Sequence, residues 1–251
     1  MIFSKPLKLI ESTGSYAMFI GRAFSSVRDF DVFRRSLLRQ MVRIGVESIP
    51  VIILASAFAG VVLTVQTAYQ LQNTVLGEDT IGSAVIPTLM LEMAALVPAL
   101  VLASRIGASI AAELGTMKVT EQIDALEAMG VNSEGYLVLP RIAAATLMFP
   151  AIYVVSVIIS VIAGGYSGEF LGYLSFEAFI RGGREFFKPF DAFYGMTKMV
   201  AFGFLITSIA CWKGFTTKGG ADGVGRSTTS AVVVSCVNIL FADYILAELL
   251  L

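Results

Sequence analysis

The chain of 251 residues contains no histidine, two cysteines, one tryptophan and seven prolines, and only 15% of its residues are charged. Without histidine, the commonest side-chain general base and metal ligand is missing. Cys211 and Cys236 both fall in or beside apolar runs, so a disulfide framework is not expected and the pair says little about redox compartment. No dense acidic motif and no nucleophile with a partner base stands out, which removes the constellation that a membrane-embedded lipid enzyme would need. Basic residues are absent from the last 25 positions, whereas Met1–Arg43 holds eight against three acids.

What the chain has in quantity is apolar surface. Hydrophobic residues make up 56% of it and the mean hydropathy is +0.80, the composition of a polytopic membrane protein forming one membrane domain. Residues 1–43 contain no spanning run, and the first begins only after Glu47, too late for a cleaved secretory signal, so the N-terminus is expected to stay in the mature protein. Leu7, Ile10, Tyr16, Phe19, Ile20, Phe24 and Val27 alternate with Lys8, Glu11, Arg22 and Arg28 at helical spacing. Region 1–45 therefore reads as an amphipathic helix lying in the membrane interface.

Five apolar runs follow, at about 46–70, 81–112, 137–164, 192–212 and 229–250, each near the ~20 residues that a spanning helix needs. The second is too long to be straight, and Pro87 and Pro98 predict a kinked or broken span continuing into the cytoplasm. A cytoplasmic N-terminus puts 14 of the 18 basic residues on that side and leaves Leu251 outside. The loops Leu71–Thr80 and Gly165–Asp191 are then external, the second holding a short interfacial helix among Phe176, Phe179, Phe186 and Phe187.

Several polar residues are costly where they stand. Glu92 is the only ionisable side chain between Ile81 and Ser104; either it faces a cavity or partner, or it hydrogen-bonds to tie helices together. Leu63, Gln66 and Gln70 share one face of the first span, which lines the same cavity or lies at the interface. Arg105, Ser109 and Glu113 recur every four residues and form a stripe suited to bridging neighbours. Ala103, Gly107 and Ala111 form a small-residue row for close helix approach. Lys198 either snorkels to the outer interface or meets an anionic headgroup.

Gly220–Ser227, GADGVGRS, has the spacing of a phosphate-cradling GxxxxGK[ST] loop with Arg226 in place of lysine. It lies between two apolar runs with no preceding strand, so it reads as a cytoplasmic turn with Ser227 or Thr228 capping the next helix.

The most distinctive segment is Glu113–Gly130, ELGTMKVTEQIDALEAMG, a polar amphipathic island between two spans. Thr120 is placed to cap a short helix over about 118–129, with Ile123, Leu126 and Met129 on its apolar face, Glu121, Asp124 and Glu127 on the other and Gly130 closing it.

Here the sequence resembles the MlaE family, permease subunits of ABC transporters that move phospholipids with MCE-domain proteins. The resemblance spans roughly Val46 to the C-terminus and is most specific from Glu92 through Arg105, Gly107, Glu113, Gly115, Met117, Thr120, Glu121, Gln122 and Met129. Weaker support comes from Pro140-Arg141 and from Gly225, Ser227, Thr228 and Thr229.

The resemblance implies an all-α integral membrane permease domain over 46–251, with five spans after an interfacial helix, working as a homodimer in the bacterial inner membrane. It implies a lipid cavity lined by Leu63, Gln66, Gln70, Leu71, Thr74, Glu92 and Leu96. Glu121, Gln122, Asp124, Leu126 and Met129 become the contact with a cytoplasmic ABC ATPase, and Arg105, Glu113 and Lys198 structural or gating charges. The chain itself is expected to be non-catalytic and to bind no cofactor or metal, ATP and Mg belonging to the ATPase. A periplasmic MCE-domain protein is an expected partner, a STAS-domain accessory protein an optional one, and nucleic acid none. Two departures from the family stand out: Gln70 and Thr74 make the pocket wall more polar, and Leu91 replaces the arginine expected before Glu92. The rival reading, an ion-coupled secondary transporter or channel, draws on the broken helix and buried glutamate; a scaffold would have no need to bury Glu92.

Overall fold

Prolines and small residues decide how these apolar helices run and meet. The computed structural model describes residues 4–24, 30–71 and 79–250, which are helical almost throughout; no strand occurs among the described residues. Two N-terminal helices come first, α1 (Ser4–Phe24) and α2 (Phe30–Ile44), then a 3-10 turn, Val46–Ser48, leading into α3 (Ile49–Leu71). The second long element runs from Asp79 to Val119 as α4 (Asp79–Thr88), α5 (Ala94–Leu102) and α6 (Ala108–Val119), joined by π turns at Leu89–Met93 and Ala103–Gly107. A short α7 (Gln122–Ala128) leads to α8 (Ser133–Phe170), α9 (Phe176–Glu185), α10 (Pro189–Phe215) and α11 (Gly220–Leu250). Among the described residues, five helices are long and apolar enough to cross a membrane, Phe33–Leu71, Asp79–Val119, Ser133–Phe170, Pro189–Phe215 and Gly220–Leu250. The fold is thus an all-α membrane protein.

The expected kink or break at Pro87 and Pro98 takes the form of two π turns. Pro87 lies just before the first π turn and Pro98 five residues before the second, and the helix continues through both. In the first turn the Ala94 N–H reaches the Leu89 carbonyl, five residues back. One residue is thereby added to the turn, which re-aims side chains without ending the helix.

Because lipid tails are as apolar as leucine, helix association in a bilayer rests on close packing and polar contacts. The α3–α8 seam follows that rule. Ile52, Ser56, Gly60, Thr64 and Ala68 are buried at four-residue spacing on α3, facing Ser156, Ser160, Gly164 and Gly168 on α8. The hydroxyls of Ser56 and Ser156 meet at 2.8 Å. A Cβ at Gly60 would lie 2.0 Å from the Ser160 carbonyl oxygen, and one at Gly164 2.5 Å from Thr64 Oγ1. The foreseen row Ala103, Gly107 and Ala111 is buried against α10, where a Gly107 Cβ would sit 3.6 Å from Ile206.

Around the seam the elements close into one bundle. α10 packs on α6, α8 and α11, and α2 lies along α8. α1 reaches the bundle through Tyr16, whose hydroxyl lies 2.6 Å from that of Ser208, with its ring edge-on to Trp212. Burial pushes the Tyr16 phenol above its ordinary pKa. Beyond α8, the helix foreseen within 165–191 is α9, capped by Ser175 Oγ accepting from the Ala178 N–H at 3.3 Å and packed on α4 through Gly82, Gly182 and Gly183.

Two local readings are corrected. Gly220–Ser227 is the first two turns of α11, not a loop, and Ser227 does not cap it: its hydroxyl donates to the Lys213 carbonyl at 2.5 Å, tying α11 to the end of α10. Thr120 ends α6, its hydroxyl donating to the Thr116 carbonyl at 2.8 Å, and Glu121, in the left-handed region at φ 59°, stands at the N-cap of α7 instead.

Gly60→Val should lower the detergent melting temperature, with a cost at or above the ~1–3 kcal/mol typical of overpacking. Gly225→Ala, where a Cβ meets open space within a helix, should raise stability by about 0.5–1 kcal/mol. An equal response of the two variants in a thermal unfolding assay would contradict the seam.

Candidate functional site

The only charged residues between Ile81 and Ala112 are Glu92 and Arg105, and each lies inside one of the two π turns. Such turns free carbonyls from the helix ladder and place side chains off the regular helical face, which is why they gather at functional sites. In the upper turn, Tyr153 of α8 donates to the Met90 carbonyl at 2.7 Å and Lys198 of α10 lies 3.4 Å from the Leu91 carbonyl.

Lys198 is the centre of this site. Its side chain is fully buried, its Nζ 2.6 Å from Glu92 Oε1 and 2.7 Å from Asp243 Oδ1 of α11. The ammonium also stands 4.6 Å from the centroid of the Tyr194 ring, a cation–π contact strengthened by desolvation. Snorkelling is therefore not what Lys198 does: one ammonium holds two carboxylates from two other spans. The charge pair at Glu92, which Leu91 could not supply, comes from α10. Asp243 is the member that sequence reasoning missed. Its signal was available: an isolated acid in an apolar run, opposite in sign to an isolated lysine in the run before.

The residues expected to line a pocket divide between two apolar clusters. Leu63 and Leu71 pack, with Met93, against the smaller cluster built from α4, α9 and Ala68; Leu96 packs against the main core. Gln66 and Gln70 are exposed on α3, Glu92 is half-buried, and Thr74 lies outside the described residues. Leu63 thus packs against the cluster that includes Leu89 and Met90 of the upper π turn, while the two glutamines stay exposed.

At the other end of the span, the stripe Arg105, Ser109 and Glu113 bridges to neighbours as its spacing suggests. Arg105 Nη1 donates to Ser48 Oγ at 2.5 Å, and Ser48 donates on to the Ile44 carbonyl at 2.6 Å. Arg43 of α2 reaches Glu113 at 2.5 Å and Ser109 at 3.2 Å. The buried Arg141 takes the other Glu113 oxygen at 2.9 Å and donates to the Leu137 carbonyl. One carboxylate thus joins α2, α6 and α8.

Beyond this end, α7 stands on the surface. Ile123 is buried beneath it and Leu126 half-buried, whereas Met129, expected on the apolar face, ends the helix 70% exposed. Asp124 accepts from Lys118 at 2.6 Å and Gln122 donates to Thr120 at 3.1 Å. Glu127 accepts from Ser133 at 2.6 Å, pinning α7 to the start of α8. Glu121, Gln122, Asp124 and Met129 together form an exposed face of mixed acid and apolar character.

Lys198→Met should leave Glu92 and Asp243 as unpaired carboxylates inside the bundle, a loss on the order of 3–5 kcal/mol. Adding Glu92→Gln and Asp243→Asn to that variant should recover most of the melting temperature. A single Lys198→Met variant that melts like the parent would show that the three-way ion pair does not hold the spans.

The family model described as Permease MlaE matches residues 37–249. Similar proteins include a probable ABC transporter permease protein of Rickettsia felis, 36% identical over 245 residues covering 98% of this chain and 94% of the relative. A probable ABC transporter permease protein of Synechocystis is 36% identical over 230 residues, 92% of this chain and 87% of its own. The chloroplastic protein TRIGALACTOSYLDIACYLGLYCEROL 1 of Arabidopsis thaliana is 33% identical over 248 residues, 98% of this chain and 71% of its own. With five spanning helices and this match across the permease region, the chain is a multi-pass membrane protein of the MlaE family of ABC transporter permeases.

Proposed function

We propose that this chain is the membrane subunit of a transporter that moves phospholipids between the bacterial inner and outer membranes, so maintaining outer-membrane lipid asymmetry. It works as a homodimer in the inner membrane, with its N-terminus cytoplasmic and C-terminus periplasmic. A separate cytoplasmic ATPase supplies the energy and an external MCE-domain protein receives or delivers the lipid. The lipid assignment draws on a relative that carries a glycolipid in its name. A dimer follows from size, because five spanning helices scarcely enclose a two-tailed lipid.

The observation that carries the reading is α7. A seven-residue helix held by the buried Ile123, the half-buried Leu126 and the Glu127–Ser133 bond, presenting acidic and apolar side chains outward, is joined by Thr120 and Glu121 to the end of α6. In the proposed cycle, closure of two ATPases pushes α7 and thereby the second span. The push passes Arg105 and then Glu92, where the lipid cavity of Leu63, Gln66, Gln70, Leu71, Thr74, Glu92 and Leu96 changes shape. The permease itself performs no covalent step.

A second reading is favoured by the ion-paired cluster, since a buried ammonium between two carboxylates also suits an ion-coupled carrier. Lipid transport that proceeds in reconstituted vesicles without ATPase or ATP would select that reading.

Glu121→Lys reverses charge at an exposed position that makes no ion pair among the described residues. The variant should melt like the parent yet lose at least tenfold in lipid-stimulated ATP hydrolysis by the assembled transporter. Unchanged hydrolysis and lipid transport would rule out α7 as the docking element.

A further inference from the structure

Where α2 gives way to α3, beside the lower π turn, lies a partly open cavity of about 80 Å³. Gln40, Arg43, Glu47, Arg105 and Ser109 supply its polar wall, with Ile44, Ile106 and Ile110 as its apolar lining. At the ~10–15 Å³ that one ordered water requires, this space holds roughly five to eight atoms, enough for the five heavy atoms of a phosphate.

The charges around it do not balance. Arg43, Arg105 and Arg141 face Glu47 and Glu113, and Glu113 is shared between Arg43 and Arg141. One positive charge is left over among the three guanidiniums, two of which, Arg43 and Arg105, line the cavity. The firm partner of Arg105 is the neutral hydroxyl of Ser48, whereas the Glu47 carboxylate is 4.0 Å away on a side chain 57% exposed to solvent. A guanidinium has five donors in a planar fork that matches phosphate oxygens in pairs, and Ser48 takes one of those of Arg105.

Beside the cavity, the same elements expose apolar side chains. Leu38 and Val42 of α2, Val46 of the turn, and Val51 and Leu54 of α3 are all uncovered. α2 also carries Arg34, Arg35 and Arg39 on its exposed surface, the kind of basic segment that anionic lipid surfaces attract. A soluble anion has no use for an apolar apron, but acyl chains do.

We propose that this cavity binds the phosphate group of an anionic phospholipid, held by Arg105 with Arg43, Gln40 and Ser109 around it, with the tails along α2 and the start of α3. The site is distinct from the cluster at Glu92. Its occupant joins α2 to the second span and is a bound lipid, independent of whether the chain transports lipid.

The test is thermal unfolding of the detergent-purified full chain with phosphatidylglycerol, with diacylglycerol bearing the same tails, and with sodium phosphate. Phosphatidylglycerol should raise the melting temperature saturably and diacylglycerol should not. Arg105→Gln should weaken the phosphatidylglycerol response at least tenfold in concentration. Glu47→Gln, which removes the exposed opposing carboxylate and leaves the packing alone, should strengthen it several-fold. Sodium phosphate that matches phosphatidylglycerol, in a manner dependent on Arg105, would keep the phosphate site and overturn its lipid occupant. An equal response to diacylglycerol, or a phosphatidylglycerol response unaltered by both substitutions, would overturn the proposal.

Discussion

A fully buried ammonium sets the terms for the rest of this bundle. Removing Lys198 from water costs several kcal/mol by itself, and nothing in a hydrocarbon surrounding returns that energy except specific partners. The partners come from different spans, Glu92 from the second and Asp243 from the fifth. Helices α10, α11 and the upper π turn therefore have a single mutual depth and rotation at which the ion pairs close. Apolar packing alone would permit neighbours in the next turn, since one leucine-rich stripe slides over another at little cost. The charge cluster removes that freedom.

The π turn is part of the same solution. The extra residue at Leu89–Met93 shifts the helical ladder, the Ala94 N–H reaching five residues back to the Leu89 carbonyl. Carbonyls that lose their helical partner inside a membrane need another. Tyr153 donates to that of Met90, and Lys198 approaches that of Leu91. The distortion that frees these carbonyls also presents Glu92 to the ammonium. On the far side of the bundle, α3 and α8 meet by the opposite means, with small side chains and a serine pair in place of charge.

Much of this was readable from residues alone, and the failures share a cause. The five spans stand out because length and apolarity are summed over some twenty residues, so no single position decides them. The stripe Arg105, Ser109 and Glu113 was legible because spacing of four fixes a helical face whatever the partner. Lys198 was misread because depth along one span says nothing of which neighbour lies opposite. Snorkelling is the answer for a lysine alone, and only Glu92 and Asp243 on other helices make it wrong. Gly220–Ser227 looked like a loop because three glycines oppose helix formation locally. Packing of α11 against α6 and α10 and the Ser227 bond to Lys213 override that propensity. The α3–α8 seam was equally written in the sequence, as serine, glycine and threonine every fourth residue, but it looks unremarkable until the facing row on α8 is set beside it.

The two π turns place opposite charges thirteen residues apart on one continuous element, a separation of about 20 Å along a helix. Each charge is held by different neighbours: Glu92 by α10 and through it α11, Arg105 by the turn that opens α3. A displacement of α7 would reach Arg105 first and Glu92 second, because α6 is continuous with both. A rigid rod would deliver one motion to both levels. A helix with an extra residue inserted at each level has a locally weaker hydrogen-bond ladder there, so the lower turn can absorb rotation before the upper one moves. In the proposed transport cycle this makes the ion-paired cluster the later and more costly of the two sites to disturb. The glutamate side chain is half-buried at the edge of that cluster, so in the proposed cycle it is the member that would meet a lipid.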